Sequence, residues 1–503
     1  MEPAAAAWVP ACNCAGEPAP WQLVEYYAAS AAATHQHCYP MENNDEAAQE
    51  SFEVVLHSLE KMEVYDKSNN PDCVCEDIVA DFRDDIDMKD KIHRYPESIR
   101  DLGDWYTVPR TVAIGPYHHS RQHLKKAEKV KHVASCRCVT ESSRSMQELY
   151  DEVVSAAADA RRFYDKDAVA GISDEDFRHM MFFDACFLVQ YMVWLVSSST
   201  STSTTTVPSP TTEEAKADPW LAEFFYANSS GIHHDVWLLE NQLPWKVVES
   251  IMNFRPVNLE KFVGKWIDSL HDRKDLKGKS FALDDSYDPP HLLGLLRHHI
   301  VGSRTKTSWK PKDKDQFKSL SFSVSAIELA KIGITLTVNE TGKLIDMGLD
   351  DRSFSAELSL APLSLNYARA SRLVNMAALE ICCLTPTSPE IEASAVCSYL
   401  LLLSMLAQKE DDVHELRRHG VLEGGAGLTN KQVLDFFTCL QSLPDGLCST
   451  LTLLQIEDYR LKRKMLAKGH AFWYKHKNTI YKILSAIAFL GTLIGLLQKF
   501  KSL

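Results

Sequence analysis

The chain has 503 residues, of which 45% are hydrophobic and 24% are charged. This length can hold two or more ordinary domains, and the apolar content is ample for a large buried core. The formal net charge of −14 argues against binding nucleic acid through bulk electrostatics, because phosphate contacts need clustered Lys and Arg.

Residues 1–100 are expected to form a variable, partly disordered N-terminal region. Residues 1–50 are rich in Ala and show little periodic apolar pattern, whereas residues 51–67 carry apolar side chains at helical spacing and predict an amphipathic helix. The chain begins without a basic n-region or an apolar h-region, and its 13 cysteines lack the regular spacing of a secreted disulfide framework. We therefore expect no signal peptide and a reducing compartment.

A first short motif, Ile-Gly-Pro-Tyr-His-His, spans residues 114–119. Its Gly-Pro step favours a turn, and the residues that follow as far as His132 have helical composition. Basic residues crowd this segment: Arg121, Lys125, Lys126, Lys129 and Lys131. On a helix they are expected to form a solvated face, and an anionic partner or a lipid headgroup is the alternative.

Cysteines and histidines lie close together around the same motif. They are Cys136, Cys138, His118, His119, His123 and His132. A single residue between the two cysteines makes it awkward for both sulfurs to reach one zinc ion. The spacing therefore predicts no metal site and no cofactor, with a metal sensor as the weaker alternative.

The middle of the chain alternates apolar runs with a low-complexity stretch. Residues 180–196 are strongly apolar, but Asp184 and Gln190 within the run favour a buried core helix over a membrane span. Residues 197–212 are nearly all Ser, Thr and Pro and predict a flexible insertion. The apolar run at residues 396–407 is too short to cross a bilayer and is expected in the core.

A second motif, Asp-Val-Trp-Leu-Leu-Glu-Asn-Gln-Leu-Pro, spans residues 235–244. Proline suits the first turn of a helix, so a helix is predicted over residues 244–253. Glu240, Asn241 and Gln242 then form the polar turn that precedes it.

Residues 333–363 are expected to contain a minor β element. Alternating apolar residues, namely Ile334, Leu336 and Val338 and then Leu344, Ile345 and Met347, predict a small antiparallel sheet. The predicted fold is mainly α, a large single helical domain with this β element and a C-terminal transmembrane helix.

Residues 480–500 are predicted to be a transmembrane anchor. The run is apolar apart from flanking residues such as Lys482 and Lys499, which can reach the two interfaces. More basic residues precede it than follow it, so the positive-inside bias puts the bulk of the chain in the cytosol as a tail-anchored membrane protein. A buried terminal helix is the alternative.

Gly491 and Gly495 in this run form a G-x-x-x-G pattern that would let two membrane helices pack closely as a homodimer. Asn228 and Asn339 fit the N-glycosylation pattern, which would matter if the body were luminal, but without a signal peptide chance occurrence explains them better.

The two motifs, together with further blocks in the same order, resemble a plant family known as domain of unknown function 247. The further blocks lie at residues 177–187, 291–297, 325–334, 375–380 and 420–422. Ala185 departs from the family pattern, where glycine is usual. The resemblance covers residues 108–497 and implies a helical body, a membrane anchor and no assigned chemistry. Some grass members of this family are implicated as pollen-side determinants of self-incompatibility.

The expected function is that of a membrane-anchored, non-enzymatic interaction or signalling protein whose partners are the bilayer and an unknown protein. The family domain is expected over residues 101–470. A structural role is expected for the motif residues Gly115, Pro116, Tyr117, His118, His119, Glu240, Asn241, Gln242 and Pro244. No Walker loop, H-E-x-x-H or G-x-S-x-G motif is present, so no catalytic residue is predicted. The alternative is an enzyme of unrecognised type that uses the turn at His118 and His119.

Overall fold

The chain divides into two compact units, Met1–Asp87 and Met88–Leu503. The computed structural model describes parts of the second unit, namely residues 90–142, 144–197, 219–270, 272, 282–303, 324–351, 355–383, 394–423, 427–462 and 485. Several predicted features lie outside the described residues. They are the helix at residues 51–67, the insertion after Ser197, and the anchor at residues 480–500 (Ser485 apart) with Gly491 and Gly495.

The second unit is mainly helical, as predicted. Its α-helices are α1 (Lys125–Ser142), α2 (Met146–Ala156), α3 (Lys166–Val169), α4 (Asp174–Ser197), α5 (Pro219–Ala227), α6 (Ser229–Asp235), α7 (Trp245–Met252), α8 (Leu259–Asp268), α9 (Leu292–Val301), α10 (Ala326–Lys331), α11 (Tyr367–Cys383), α12 (Ala395–Leu406), α13 (Glu410–Arg418), α14 (Asn430–Cys439) and α15 (Leu447–Lys462). Short 3-10 helices occur at Glu97–Leu102, Pro116–His118, Gln122–Leu124 and Ala160–Phe163.

Local sequence signals explain where several helices begin. At α2 the Ser145 hydroxyl accepts from the Glu148 amide while the Glu148 carboxylate accepts from the Ser145 amide, which pairs two otherwise unsatisfied donors. Thr429 and Gln432 repeat the arrangement at α14. Pro244 is the N-cap of α7, so this helix begins one residue later than predicted.

Helix α4 forms the centre of the unit. Its first two turns are mostly exposed, but it is buried along most of its length from Met180 to Leu195, and it packs against α1, α2, α7 and α8. Among the described residues it is the one helix long and apolar enough to cross a membrane, and 83% of its most apolar window is buried inside the protein. The prediction of a core helix here agrees with this burial, and α12 is likewise buried.

The described β structure comprises β1 (Ile334–Val338), β2 (Gly348–Asp351), β3 (Ala356–Leu360), β4 (Leu363–Ser364) and β5 (Leu422–Glu423). The first three strands form a sheet in the order β1-β3-β2. Strand β3 pairs parallel with β1, Ile334 opposite Ala356, and antiparallel with β2, Leu349 opposite Leu358.

The prediction of an antiparallel sheet was therefore wrong in part, because β3 lies between β1 and β2 and makes the sheet mixed. The segment from Leu344 to Met347 is a buried loop and not a strand. The Asn339 side chain fixes it by donating to the Lys343 and Asp346 carbonyls at 3.0 and 2.9 Å. A second, parallel pair of β4 with β5 was not foreseen.

The folded unit begins before residue 101, the boundary expected from the sequence. Ile92, Tyr95 and Ile99 are all buried in the hydrophobic core. The Ile92 amide also donates to the Phe163 carbonyl at 2.8 Å. Residues 90–100 therefore belong to the same core as the motifs that follow.

Candidate functional site

The two sequence motifs meet in the core, where the chain at residues 110–115 runs against Asp235 at the C-terminal end of α6. The Asp235 carboxylate is fully buried and accepts three backbone N–H groups. Arg110 donates to Oδ1 at 2.8 Å, and Thr111 and Val112 donate to Oδ2 at 2.7 and 2.9 Å. One side chain thus pairs three consecutive amides.

Asn241 and Asp184 continue this pattern. Asn241 Oδ1 accepts the Ile114 amide at 2.7 Å, and its Nδ2 donates to the Val112 carbonyl at 3.1 Å. Asp184, from α4, accepts the Gly115 amide at 2.8 Å. A buried backbone donor must find an acceptor, and here side chains supply acceptors that a neighbouring strand would otherwise provide. We call residues 110–115 together with the side chains of Asp184, Asp235 and Asn241 the motif junction.

Gly115 is required at the motif junction for two reasons. Its φ of +77° is unfavourable for residues with a side chain, and an added Cβ would lie 2.7 Å from the Gln242 carbonyl oxygen. Gln242 itself fixes that turn: its Nε2 donates to the Val236 and Leu238 carbonyls, and its Oε1 accepts the Leu293 amide at 2.9 Å.

Lys131 is held inside the protein beneath this junction. Its ammonium lies 2.6 Å from Asp184 Oδ1 and 2.7 Å from Glu128 Oε1, and the side chain is fully buried. Burial alone would lower the pKa of Lys131, but the two carboxylates outweigh it and raise that pKa. The predicted solvated basic face was therefore wrong for Lys131, whereas Arg121, Lys125, Lys126 and Lys129 are exposed.

His118 and Glu240 approach each other, but the geometry does not suit acid–base chemistry. His118 Nδ1 accepts from the Arg121 guanidinium at 3.0 Å, so the neutral ring carries its proton on Nε2. Nε2 lies 3.4 Å from Glu240 Oε2 and makes no hydrogen bond to the described residues. Burial, followed by the nearby positive charge of Arg121, lowers the pKa of His118 to about 3. At neutral pH this ring has neither a free lone pair nor a proton to donate as imidazolium.

Tyr117 and Pro116 of the first motif also serve local structure, whereas the described part of the chain shows no such role for the His119 side chain. Tyr117 donates its hydroxyl to the Ile92 carbonyl at 2.7 Å and accepts the Asp165 amide at 3.2 Å. Pro116 begins the short 3-10 helix. His119 is half-buried, and its Nδ1 has no hydrogen-bond partner among the described residues.

Glu240 Oε1 accepts the Tyr95 amide at 2.8 Å, which ties the second motif to the start of the folded unit. The nearest Arg100 nitrogen lies 3.9 Å from the same oxygen. The Glu240 carboxylate is therefore engaged on the oxygen that faces the backbone, while its other oxygen faces His118.

Two further polar residues, whose roles the sequence did not reveal, connect other motif blocks to distant parts of the chain. Asn375 accepts the Leu239 amide at 2.9 Å and donates to the Tyr106 carbonyl at 3.0 Å. Glu380 accepts from Arg297 Nε at 3.0 Å and from the Val396 and Cys397 amides at the start of α12. The available signal was an isolated polar residue inside an apolar run.

The described residues contain no group of three or more His, Cys, Asp and Glu side chains that could hold a metal ion. Cys136 is exposed and Cys138 is buried, so the two thiols of this pair lie on different sides of α1.

Comparison with protein families assigns residues 92–497 to a family model, DUF247, described as plant protein of unknown function. The chain belongs to this family. No curated protein matches the chain, and no solved structure does either. The resemblance inferred from the two motifs is thus confirmed. The contacts described above explain the two motifs of this DUF247 protein physically, because side chains of the second motif pair with the backbone of the first and of the residues just before it.

Proposed function

We propose that this DUF247 protein is a membrane-anchored, non-enzymatic interaction protein whose helical body faces the cytosol. The observation that carries the non-enzymatic part is that polar side chains of the motif blocks are engaged in hydrogen bonds and an ion pair inside the protein. Asp184, Asp235, Asn241 and Gln242 bond to backbone groups or to Lys131, and they leave no free acid or base directed at a substrate.

The alternative of an enzyme that uses the His118 turn is less well supported. General acid–base catalysis needs a group that titrates near the working pH and reaches the substrate. His118 is 3% exposed, its lone pair is occupied by Arg121, and its pKa is lowered to about 3. A His118→Gln variant separates the two hypotheses, because a structural histidine affects stability whereas a catalytic one can be replaced without loss of fold.

The membrane part of the proposal rests on the apolar sequence at residues 480–500 and its flanking charges. The cytosolic orientation gains support from the two candidate glycosylation sites. Both N–H groups of Asn339 Nδ2 are engaged by carbonyls, and the residue is buried. Asn228 Nδ2 donates to the Phe224 carbonyl at 2.8 Å. A glycan at Asn339 would conflict with this fold.

The test compares the full-length chain with a version truncated after Lys477, both expressed in plant cells. We expect full-length protein in the alkali-resistant membrane fraction with its body open to protease from the cytosolic side, and truncated protein in the supernatant. Membrane retention of the truncated chain would contradict the anchor. A glycan on Asn228 or Asn339 would reverse the orientation.

The finer role implied for some grass relatives, pollen-side recognition in self-incompatibility, is a hypothesis for this chain. It requires expression in pollen and altered pollen acceptance when the gene is disrupted. Normal acceptance of mutant pollen would exclude it.

A further inference from the structure

Helix α1 carries a line of exposed basic side chains on the side turned away from the core. The line consists of Lys125, Lys126, Lys129 and His132, which we call the basic face. Three of these positions, 125, 129 and 132, recur at intervals of four and three residues and so share one side of the helix. Exposed Cys136 follows at the next such interval.

The fold does not use the lysines of the basic face. Within the described part of the chain, Lys125, Lys126 and Lys129 make no ion pair and no side-chain hydrogen bond, in contrast to buried Lys131 two residues further on. Lys125 and Lys126 also lie in the first turn of α1, where the helix dipole disfavours positive charge. Lysines at these two positions lower the stability of the helix, so the stability of the fold does not explain why they are there.

The basic face also contrasts with the chain as a whole, whose formal net charge is −14. Such a chain is repelled by polyanions in general, and attraction is confined to local positive surfaces. An anionic bilayer is the occupant that fits best, because residues 463–479 join the described body to the proposed anchor and can span at most roughly 60 Å. A body tethered this closely meets the membrane at high effective concentration, so a few lysines suffice.

We propose that the basic face binds the anionic phospholipid headgroups of the membrane in which the chain is anchored. This inference rests on the proposed membrane anchor. The contact is electrostatic, and it brings the side of α1 that carries Cys136 against the bilayer. The opposite side of α1 stays in the core, where the pair of Lys131 and Asp184 fixes it to α4.

The rate at which Cys136 is alkylated reports whether the basic face lies against the bilayer. The full-length protein is inserted into nanodiscs of phosphatidylcholine alone or of phosphatidylcholine with phosphatidylserine, and alkylation of Cys136 by a maleimide is followed by peptide mass spectrometry. We expect several-fold slower alkylation in the anionic discs. The difference should vanish at about 1 M salt, where the screening length falls to about 3 Å.

The decisive variant carries Lys125→Gln, Lys126→Gln and Lys129→Gln, since glutamine keeps good helix propensity at exposed sites. Each lysine contributes roughly a fivefold preference for the anionic surface, so the triple variant should lose about 100-fold in the docking equilibrium. The matched control replaces three exposed lysines on other helices, Lys246→Gln, Lys331→Gln and Lys431→Gln, and should keep the protection.

The outcomes separate the two proposals. Failure of the full-length chain to enter discs contradicts the anchor itself. Entry into discs with equal alkylation of Cys136 in both lipids overturns the docking of the basic face and leaves the anchor standing. Protection of Cys136 by a short RNA in neutral discs, matching that by anionic lipid, overturns the assignment to lipid. The salt dependence of the unmodified protein tests the same point without any substitution.

Discussion

The motif junction and the three-stranded sheet differ in how they pair the hydrogen-bonding groups of an extended backbone. In the sheet, the extended chain of β3 satisfies its backbone groups by pairing with the backbones of β1 and β2. At the motif junction, residues 110–115 satisfy theirs through the side chains of Asp184, Asp235 and Asn241. A backbone ladder accepts many sequences, whereas side-chain acceptors must be the right residue at the right position. The junction therefore leaves a sharp sequence motif and the sheet leaves a weak one.

The largest expected effect comes from removing the central acceptor of the junction. Asp235→Ala removes the acceptor of three backbone donors, of which the Val112 amide is buried and those of Arg110 and Thr111 are partly buried. A buried donor left without a partner costs about 1–3 kcal/mol, and a partly buried one costs less. We expect a loss of at least about 3 kcal/mol in the free energy of unfolding, measured by urea denaturation, or failure to accumulate as folded protein. The control is Asp288→Ala at an exposed carboxylate. Similar stability of both variants would remove the main argument for the junction.

Alanine substitutions at three glycines test whether the motif junction has room for a side chain at Gly115. Gly115→Ala should cost about 3 kcal/mol, because it adds strain at positive φ to a clash with the Gln242 carbonyl. Gly103→Ala has positive φ but open space around it and should cost about 1 kcal/mol. Gly171→Ala has neither feature and should be nearly neutral. Thermal melts of the three variants give the order, and equal melting temperatures would contradict it.

Acidification should weaken the fold through His118. Its pKa is about 3 in the folded state and about 6.5 when unfolded, so between these values the unfolded chain binds the extra proton. The stability contributed by neutral His118 is complete above pH 6.5 and is lost as the pH falls towards 3. At pH 5 the loss amounts to about 2 kcal/mol.

His118→Gln should remove that share of the pH dependence, as seen in urea unfolding at pH 7 and pH 5. The substitution of exposed His414 by Gln is its control. An unchanged pH dependence in the His118 variant would mean that this ring is not held neutral by the fold.

The smallest change in the free energy of unfolding is expected for a substitution in the three-stranded sheet. Thr335 is exposed on β1, and the pairing there is between backbones. Thr335→Ala should therefore change the free energy of unfolding by no more than about 1 kcal/mol, as judged by denaturant midpoint. A loss as large as that of Asp235→Ala would show that the two regions do not differ in the way described.

The difference between local patterns and contacts with distant residues also decides which parts of the fold could be predicted from the sequence. The helical class, the core positions of α4 and α12, and the helix after Pro244 followed from apolar periodicity and proline placement. The parallel pairing of β1 with β3 did not, because alternation specifies a strand and not its neighbour. The burial of Lys131 was also invisible, because its partner Asp184 is distant in sequence and neighbouring lysines are exposed.

The motif residues were recognisable as a family pattern, but which atoms they serve was not. Asp235 and Asn241 act on amides more than 100 positions earlier in the chain. Likewise, Glu380 and Asn375 look like isolated polar residues in an apolar helix until Arg297 and Leu239 are brought beside them. Such contacts depend on the tertiary fold, so local patterns cannot specify them.

Native-state hydrogen exchange of the amides of Thr111, Val112 and Ile114 tests the central claim most directly. If side chains replace a strand partner, these amides should exchange as slowly as those of Leu358 and Leu360 in the central strand β3, through opening of the folded unit. Asp235→Asn should selectively speed exchange at Thr111 and Val112. Exchange of all three amides at the rate of an exposed loop in the unmodified protein would contradict the account.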